Sequence, residues 1–291
     1  MKKIAIYGQY LHRDSLKTVQ SIVEALLDQS CNVQIESEFA DLVQDVRFSK
    51  DLEIFHQLDR SFDMLISIGG DGTILRAVAY IGKLDIPILG INTGRLGFLA
   101  TVQKNEIDRV VKHVIEGDYH LSKRSLITAT SSHKENHLPP NNFALNEVTV
   151  SRMNTTSMIQ IETHLNDELL TSYWADGLII STPTGSTGYS LSCGGPVISP
   201  ETDAFVITPI APHNLNARPL VIPDHTVIKI KVIGRENMFL ASLDNRIASY
   251  PNGTEITLKK ADFTIDLIEL HGQSFIQTLR HKLLWGEDKR N

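Results

Sequence analysis

Residues 63–82 read DMLISIGGDGTILRAVAYIG: an apolar run, a glycine-rich turn holding one acid, then apolar positions at helical spacing. A strand that passes through such a turn into a helix is half of a βαβ unit, with the turn at the carboxyl end of a parallel strand. The same rhythm surrounds it. Upstream come the strand pattern KIAIYG (3–8), the helical SLKTVQSIVEALLDQS (15–30), the strand pattern NVQIES (32–37) and a second helical stretch expected near residues 38–59. Downstream come IPILGIN (86–92), a turn TGRLGFLA (93–100), and KNEIDRVVKHVIEG (104–117), whose Ile107, Val110, Val111, Val114 and Ile115 mark a helix ending at Gly117.

From Leu121 onward the period changes to two, in SLITATSS, FALNEVTVSR, SMIQIETHLN, TVIKIKVIG, EITLKK and DFTIDLIEL, separated by Pro, Gly, Asn and Asp. The fold class expected is therefore an α/β amino-terminal domain with a mainly parallel sheet, followed by a β-rich, sandwich-like carboxyl-terminal domain. The boundaries expected are residues 1–119 and 120–274, with 275–291 docking back on the first domain through the apolar anchor Trp285. HKENHLPPNN (133–142) is expected to be an exposed loop; His133 and His137 are spaced for a metal, but Pro139 and Pro140 follow and they are set aside as ligands.

The composition narrows the function. With 291 residues, 42% apolar and 21% charged, the chain is globular and of two-domain length, which excludes fibrous and disordered classes. A net charge of −6 lacks the positive field of a general nucleic-acid coat. Two distant cysteines, Cys31 and Cys193, fit neither a disulfide framework nor a four-ligand zinc site, and point to a reducing cytoplasm. Charge returns at Arg13 and Asp14 before any export signal is long enough. The longest stretch free of Asp, Glu, Lys and Arg, 177–200, is too rich in Ser, Thr, Gly and Pro for a membrane span and reads as a loop-rich site.

Three groups carry chemistry. Gly69-Gly70-Asp71-Gly72-Thr73 offers backbone N–H groups and a helix N-terminus to a phosphate, while its acid would repel one unless it accepts a proton from an attacking alcohol or holds a divalent cation. The alternative is a tight turn in which Asp71 caps the helix. There is no G-x-x-x-x-G-K-[ST], and Leu75 stands where a dinucleotide fingerprint needs its third Gly or Ala. Arg76, just inside the helix, either reaches a donor phosphate or is simply solvated. Second, residues 175–196 (ADGLIISTPTGSTGYSLSCGGP) suit a nucleoside, with hydroxyls and amides for base edge and ribose and Tyr189 for stacking; the alternative is a mere connection. Third, Asn146-Glu147, at the head of EVTVSR, sets an amide and an acid side by side, an arrangement able to hold ribose hydroxyls; the alternative is a polar strand start. Asp244-Asn245-Arg246 reads first as a hairpin turn and second as a ligand contact.

Taken in order, GGDGT, NTGRLGFL, LNEVTV, ADGLIISTPTGSTGYSLSCGGP and HNLNARPLVIP resemble the NAD kinase family across nearly the whole chain. The resemblance implies ATP-dependent phosphorylation of the 2′-hydroxyl of the adenosine ribose of NAD. It also implies Mg²⁺ delivered with ATP, NAD as substrate, and a homo-oligomer, tetramer or dimer, with no nucleic-acid or membrane partner. Carried over by position, Asp71 is the proton acceptor and Gly72 lies in its phosphate turn; Asn146 and Glu147 contact NAD. Asp176 shapes the nicotinamide-ribose end, in some members across a subunit boundary. Thr184, Thr187, Gly188, Tyr189, Ser190, Leu191 and Ser192 line the adenosine loop, and Ser157, Ala211, Asn245 and Arg246 fall on less uniform contact positions. Gly188 stands where the family often has Ala, and Asn245 and Arg246 also depart from its pattern. Other readings are a GGDG-type lipid or sugar-phosphate kinase, against which the hydroxyl-rich block speaks, and a non-catalytic NAD-binding sensor.

Overall fold

Strands β1 (Lys3–Gly8), β2 (Asn32–Glu36), β3 (Glu53–Phe55), β4 (Met64–Gly69) and β5 (Ile88–Asn92) pair in parallel in the order β5-β4-β1-β2-β3, with β6 (Val102–Gln103) beside β5. The computed structural model describes residues 1–9, 13–133, 141–154 and 157–284. It divides into two units, Met1–Lys123 with Ile265–Asn291 and Arg124–Thr264. In the first, helices α1 (Arg13–Asp28) and α4 (Ile107–Glu116) turn Val19, Ile22, Val23, Leu26, Val110, Val111 and Val114 onto the core that Ile4, Ile6, Ile66 and Ile68 supply from the sheet. Their spacing of three and four residues makes this possible. Gly117 ends α4 at a φ of 71°, a left-handed cap that glycine adopts without steric cost. The expected ending is the observed one.

Two expectations fail in this unit. Residues 38–59 are not one helix: α2 (Ser37–Leu42) is short, capped by the Glu36 carboxylate accepting from the N–H groups of Glu38 (3.0 Å) and Phe39 (2.9 Å). Phe39, Val43 and Val46 mimic helical spacing, but the open edge of β2 instead recruits Glu53–Phe55 as a strand. Helix α3 (Asp71–Ile81) also begins at Asp71, three residues before the expected Ile74.

Strands β7 (Tyr119–Ser131) and β8 (Phe143–Ala144) pair antiparallel, and in the second unit β9 (Glu147–Arg152), β12 (Gly177–Ser181), β13 (Ala204–Ile210), β14 (Leu220–Pro223), β16 (Met238–Leu243) and β17 (Arg246–Pro251) form an antiparallel sheet in the order β14-β13-β12-β9-β16-β17. A second antiparallel run joins β11 (Glu168–Ala175), β10 (Ile159–Leu165), β15 (Ile228–Ile233) and the start of β18 (Glu255–Leu270). Val148, Ile180, Phe205 and Phe239 from one sheet share a core with Ile161, Ile230 and Ile256 from the other, which is the packing of a sandwich. Residues 177–181, expected to be loop, are a strand buried at every position. A strand covered on both faces shows no alternation, so GLIIS carried no period-two signal.

Helix α6 (Phe275–Leu283) settles the form of the last segment up to Leu284. Trp285 with the charged tail, and residues 134–140 of the polar loop with His137, Pro139 and Pro140, lie outside the described residues.

Candidate functional site

A Cβ on Gly69 would stand 2.2 Å from the Thr73 hydroxyl, so the close turn out of β4 requires glycine. Gly70 caps α3 with no side-chain bond, and its carbonyl accepts from the N–H groups of Thr73 (3.0 Å) and Ile74 (3.3 Å). Gly70 and Gly72 are exposed, with open space where a Cβ would be. The Asp71 side chain does not cap its own helix. Its carboxylate accepts three backbone N–H bonds from the turn after β5: Phe98 to Oδ2 at 2.8 Å, and Leu99 and Ala100 to Oδ1, both at 3.0 Å. Arg76 is not merely solvated, since its guanidinium donates to the Gln9 amide oxygen and Gln9 in turn donates to the Tyr7 hydroxyl at 2.7 Å.

In the second unit the hairpin between β16 and β17 is two residues long, with Asp244 at a φ of 52°, a conformation Asp tolerates better than most residues. Asp244 holds the segment ahead of β9 by accepting from the N–H groups of Leu145 (2.9 Å), Asn146 (2.8 Å) and Glu147 (3.2 Å). Arg246 is committed to the protein: it donates to the carbonyls of Asn141 and Phe143 and lies over the Phe143 ring. The hairpin reading of residues 244–246 holds.

The hydroxyl-rich block folds back on that segment. Thr182 donates its N–H to the Asn146 carbonyl (2.8 Å) and its hydroxyl to that of Leu145 (2.5 Å), and accepts from Gly185 N–H (3.2 Å). A short 3₁₀ turn, Thr184–Thr187, follows, then the single helical turn α5 (Tyr189–Ser192). The loop-rich stretch expected here is thus a folded corner whose buried hydroxyls are largely occupied. Ser186 bonds Pro183 and Ile198, Thr187 bonds the Thr184 carbonyl, and Ser190 pairs with Thr208 at 2.8 Å. Among these residues Tyr189 is 46% exposed and Ser192 is exposed; Thr187, Gly188 and Leu191 are half-buried.

Asn146, Glu147, Gly188 and Tyr189 come together. A Cβ on Gly188 would stand 3.3 Å from Glu147 Oε2 and 3.5 Å from Asn146 Nδ2. Glu147 Oε2 and Asn146 Oδ1 are buried and have no hydrogen-bond partner among the described residues. Asp176 pairs with Arg152 at 2.9 Å and donates its N–H to the Ile210 carbonyl, which brings it beside Ala211, itself at a strained φ of 45°. Ser157 stands ahead of β10, half-buried, and hydrogen-bonds to none of these residues. In the first unit Gly97 also shapes the surroundings of Asp71; in the second, Thr182 and Gly185 shape the corner, as does Asp244 through its tie to the strand entry; in the sequence only the density of Gly and hydroxyl residues hinted at such roles.

Burial drives the electrostatics. Desolvation, reinforced by the Asp244 charge and opposed by the Tyr189 N–H, pushes the Glu147 carboxyl up to about 8. Asp244 is also raised by burial, against its three N–H donors and Arg246; Arg246 is lowered by burial, against Asp244. Burial raises the Tyr189 hydroxyl too, helped by Cys193, Asp176 and Glu147. Between pH 4.5, the ordinary value for Glu, and about 8, the folded chain retains a Glu147 proton that the unfolded chain has released. This contribution to stability is complete below 4.5 and is lost as pH rises through 8. Glu147→Gln, neutral at every pH, should therefore gain stability on the parent between pH 5 and 9, by a margin on the order of a few kcal/mol at most. Thermal unfolding at both pH values reads it, and parallel pH profiles for the two proteins would contradict a protonated Glu147.

Residues 4–119 match the family model described as the ATP-NAD kinase N-terminal domain, and residues 145–270 match that of the ATP-NAD kinase C-terminal domain. The NAD kinase of Christiangramia forsetii is 56% identical, over 99% of this chain and 100% of its own length. The chain belongs to the NAD kinase family. The NAD kinase of Porphyromonas gingivalis is 42% identical over 98% of the chain and 99% of its own. Among solved structures, an NAD kinase from Archaeoglobus fulgidus in complex with ATP matches with a TM-score of 0.76 at 25% identity, covering 97% of this chain and 98% of that one. Yeast NADH kinase complexed with NADH shares the fold, with a TM-score of 0.87 at 24% identity over 99% of this chain and 89% of that one.

Proposed function

We propose that the chain phosphorylates NAD: the 2′-hydroxyl oxygen of the adenosine ribose bonds to the γ-phosphorus of ATP as the bond to ADP breaks. The products are NADP and ADP, and the hydroxyl proton is released. Family membership supports the reaction class. The single observation that carries the NAD site is the pair of unpartnered buried atoms, Asn146 Oδ1 and Glu147 Oε2, on the two side chains that lie beside Gly188. Buried polar atoms without partners are costly, and a ribose diol would satisfy both. A protonated Glu147 can donate as well as accept, which suits hydroxyl groups. Tyr189 offers its exposed ring to a base, and Asp176 and Ala211 frame the far end of the ligand.

In this reading Asp71 accepts the hydrogen bond of the attacking hydroxyl, and the exposed amides at Gly70 and Gly72 attract the donor phosphates. Mg²⁺ delivered with the triphosphate would supply the positive charge that offsets the charge developing on the donor phosphates. Among the described residues no cluster of three or more His, Cys, Asp or Glu is placed to hold an ion. The proposal extends to a cytoplasmic homo-oligomer, dimer or tetramer. Cys31 and Cys193 are free thiols, no described helix is long and apolar enough to cross a membrane, and Trp174 and Leu215 are exposed large apolar side chains.

The test is NADP formation by the purified full chain from NAD and Mg²⁺ with ATP or polyphosphate, coupled to an NADP-specific dehydrogenase. NADP with ATP is the expected result. Binding of NAD without NADP would favour a sensor, and absence of both would return the acceptor to lipids and sugar phosphates.

A further inference from the structure

The turn after β5 is built around Asp71 more closely than a connection between strands requires. Two of its N–H groups occupy Oδ1 and one occupies Oδ2. A carboxylate offers about four lone-pair positions, so one remains, on Oδ2. The turn is itself pinned: the Asn92 side chain donates to the Arg95 carbonyl (2.7 Å) and accepts from Gly94 N–H (2.7 Å), while Gly97 N–H donates to the Ala100 carbonyl (3.3 Å). Gly97 makes the fit possible. A Cβ there would stand 1.9 Å from Asp71 Oδ1 and 2.6 Å from its Cγ, and the short Asp side chain could yield only by leaving its place. At Gly94, three residues earlier in the same turn, a Cβ would meet nothing nearer than 3.9 Å.

We propose that the Gly97–Ala100 turn is an amide cradle that positions Asp71 for catalysis, leaving Oδ2 as the atom that accepts the attacking hydroxyl, with Gly97 as the positioning residue. This rests on the kinase reading above. The cradle sets the carboxylate before substrate arrives, so its orientation costs nothing at the moment of transfer.

Gly97→Ala should lower kcat by about 10²-fold or more, the scale of a misplacement near 1 Å, with KM for NAD within about threefold. Gly94→Ala should keep kcat within about twofold of the parent, because the same loop gains a methyl in open space. Added to Asp71→Asn, Gly97→Ala should slow turnover no further, since both act through one carboxylate. Hydrogen exchange gives a second readout independent of turnover: the amides of Phe98, Leu99 and Ala100 should exchange faster in Asp71→Asn and in Gly97→Ala, and as in the parent in Gly94→Ala. A Gly97→Ala enzyme with parental kcat, or exchange at 98–100 indifferent to Asp71→Asn, overturns the cradle. A parent that makes no NADP brings down the kinase reading instead, and the cradle then stands or falls on hydrogen exchange alone.

Discussion

Asp71→Asn lowers the rate of NADP formation by about 10³-fold, within the range that a positioned proton acceptor contributes, and leaves KM for NAD within a few-fold. The substitution keeps shape and size, so substrate contacts made by Asn146, Glu147 and Tyr189 persist. What it removes is the negative charge and half of the accepting capacity: one oxygen becomes an NH₂ group, which must face either the Phe98 N–H or those of Leu99 and Ala100. At least one backbone donor then lacks its acceptor, at a cost of roughly 1–3 kcal/mol in stability. The coupled assay and a thermal melt separate the two effects. A variant that melts lower yet turns over like the parent would show that Asp71 is only a structural tie.

Gly185→Ala is expected to be the most disruptive single methyl in the second unit. Its Cβ would lie 2.1 Å from the Asn146 carbonyl oxygen and 2.5 Å from the carbonyl carbon, both backbone atoms. That segment cannot retreat, because Asp244 holds its three N–H groups and Thr182 holds its carbonyls. The corner and the strand entry must part, destabilising the unit by on the order of 3 kcal/mol and separating Asn146 and Glu147 from Tyr189. NAD affinity, by calorimetry, should fall by about 10²-fold or more, since that is the effect of losing two hydrogen-bonding partners. Gly188→Ala is the contrast, as its nearest contacts are 3.2 and 3.3 Å and one is a side chain. Equal behaviour of the two variants would mean that the corner is more yielding than its hydrogen bonds indicate.

Much of the fold is legible in the chain. The passage from MLISI through GGDG into a helix, and the helical spacing from Ile107 to Ile115 closed by Gly117, are local signals that tertiary structure did not override. Where expectation and structure part, the deciding partner is remote in sequence. Glu53–Phe55 is a strand because β2 has an open edge, and GLIIS lacks a strand's alternation because, paired between β9 and β13, it is buried at every position. The site behaves alike. Asn146, Glu147 and Tyr189 are recognisable by type, and their juxtaposition depends on Thr182. The three N–H groups on Asp71 come from residues 27 to 29 positions downstream, and Asp244, legible as a turn, anchors amides up to 99 residues upstream. Backbone donors have no sequence signature, so neither role is visible in residue identity.

The most direct test is the position of the new phosphate. The purified chain is incubated with NAD and Mg·ATP, and the dinucleotide product is isolated and examined by phosphorus NMR with proton coupling to the riboses. One new phosphomonoester is expected, on the 2′-oxygen of the adenosine ribose, formed in equal amount with ADP. ADP without a phosphomonoester on NAD, or a phosphate on any other hydroxyl, would contradict phosphorylation of NAD at that oxygen.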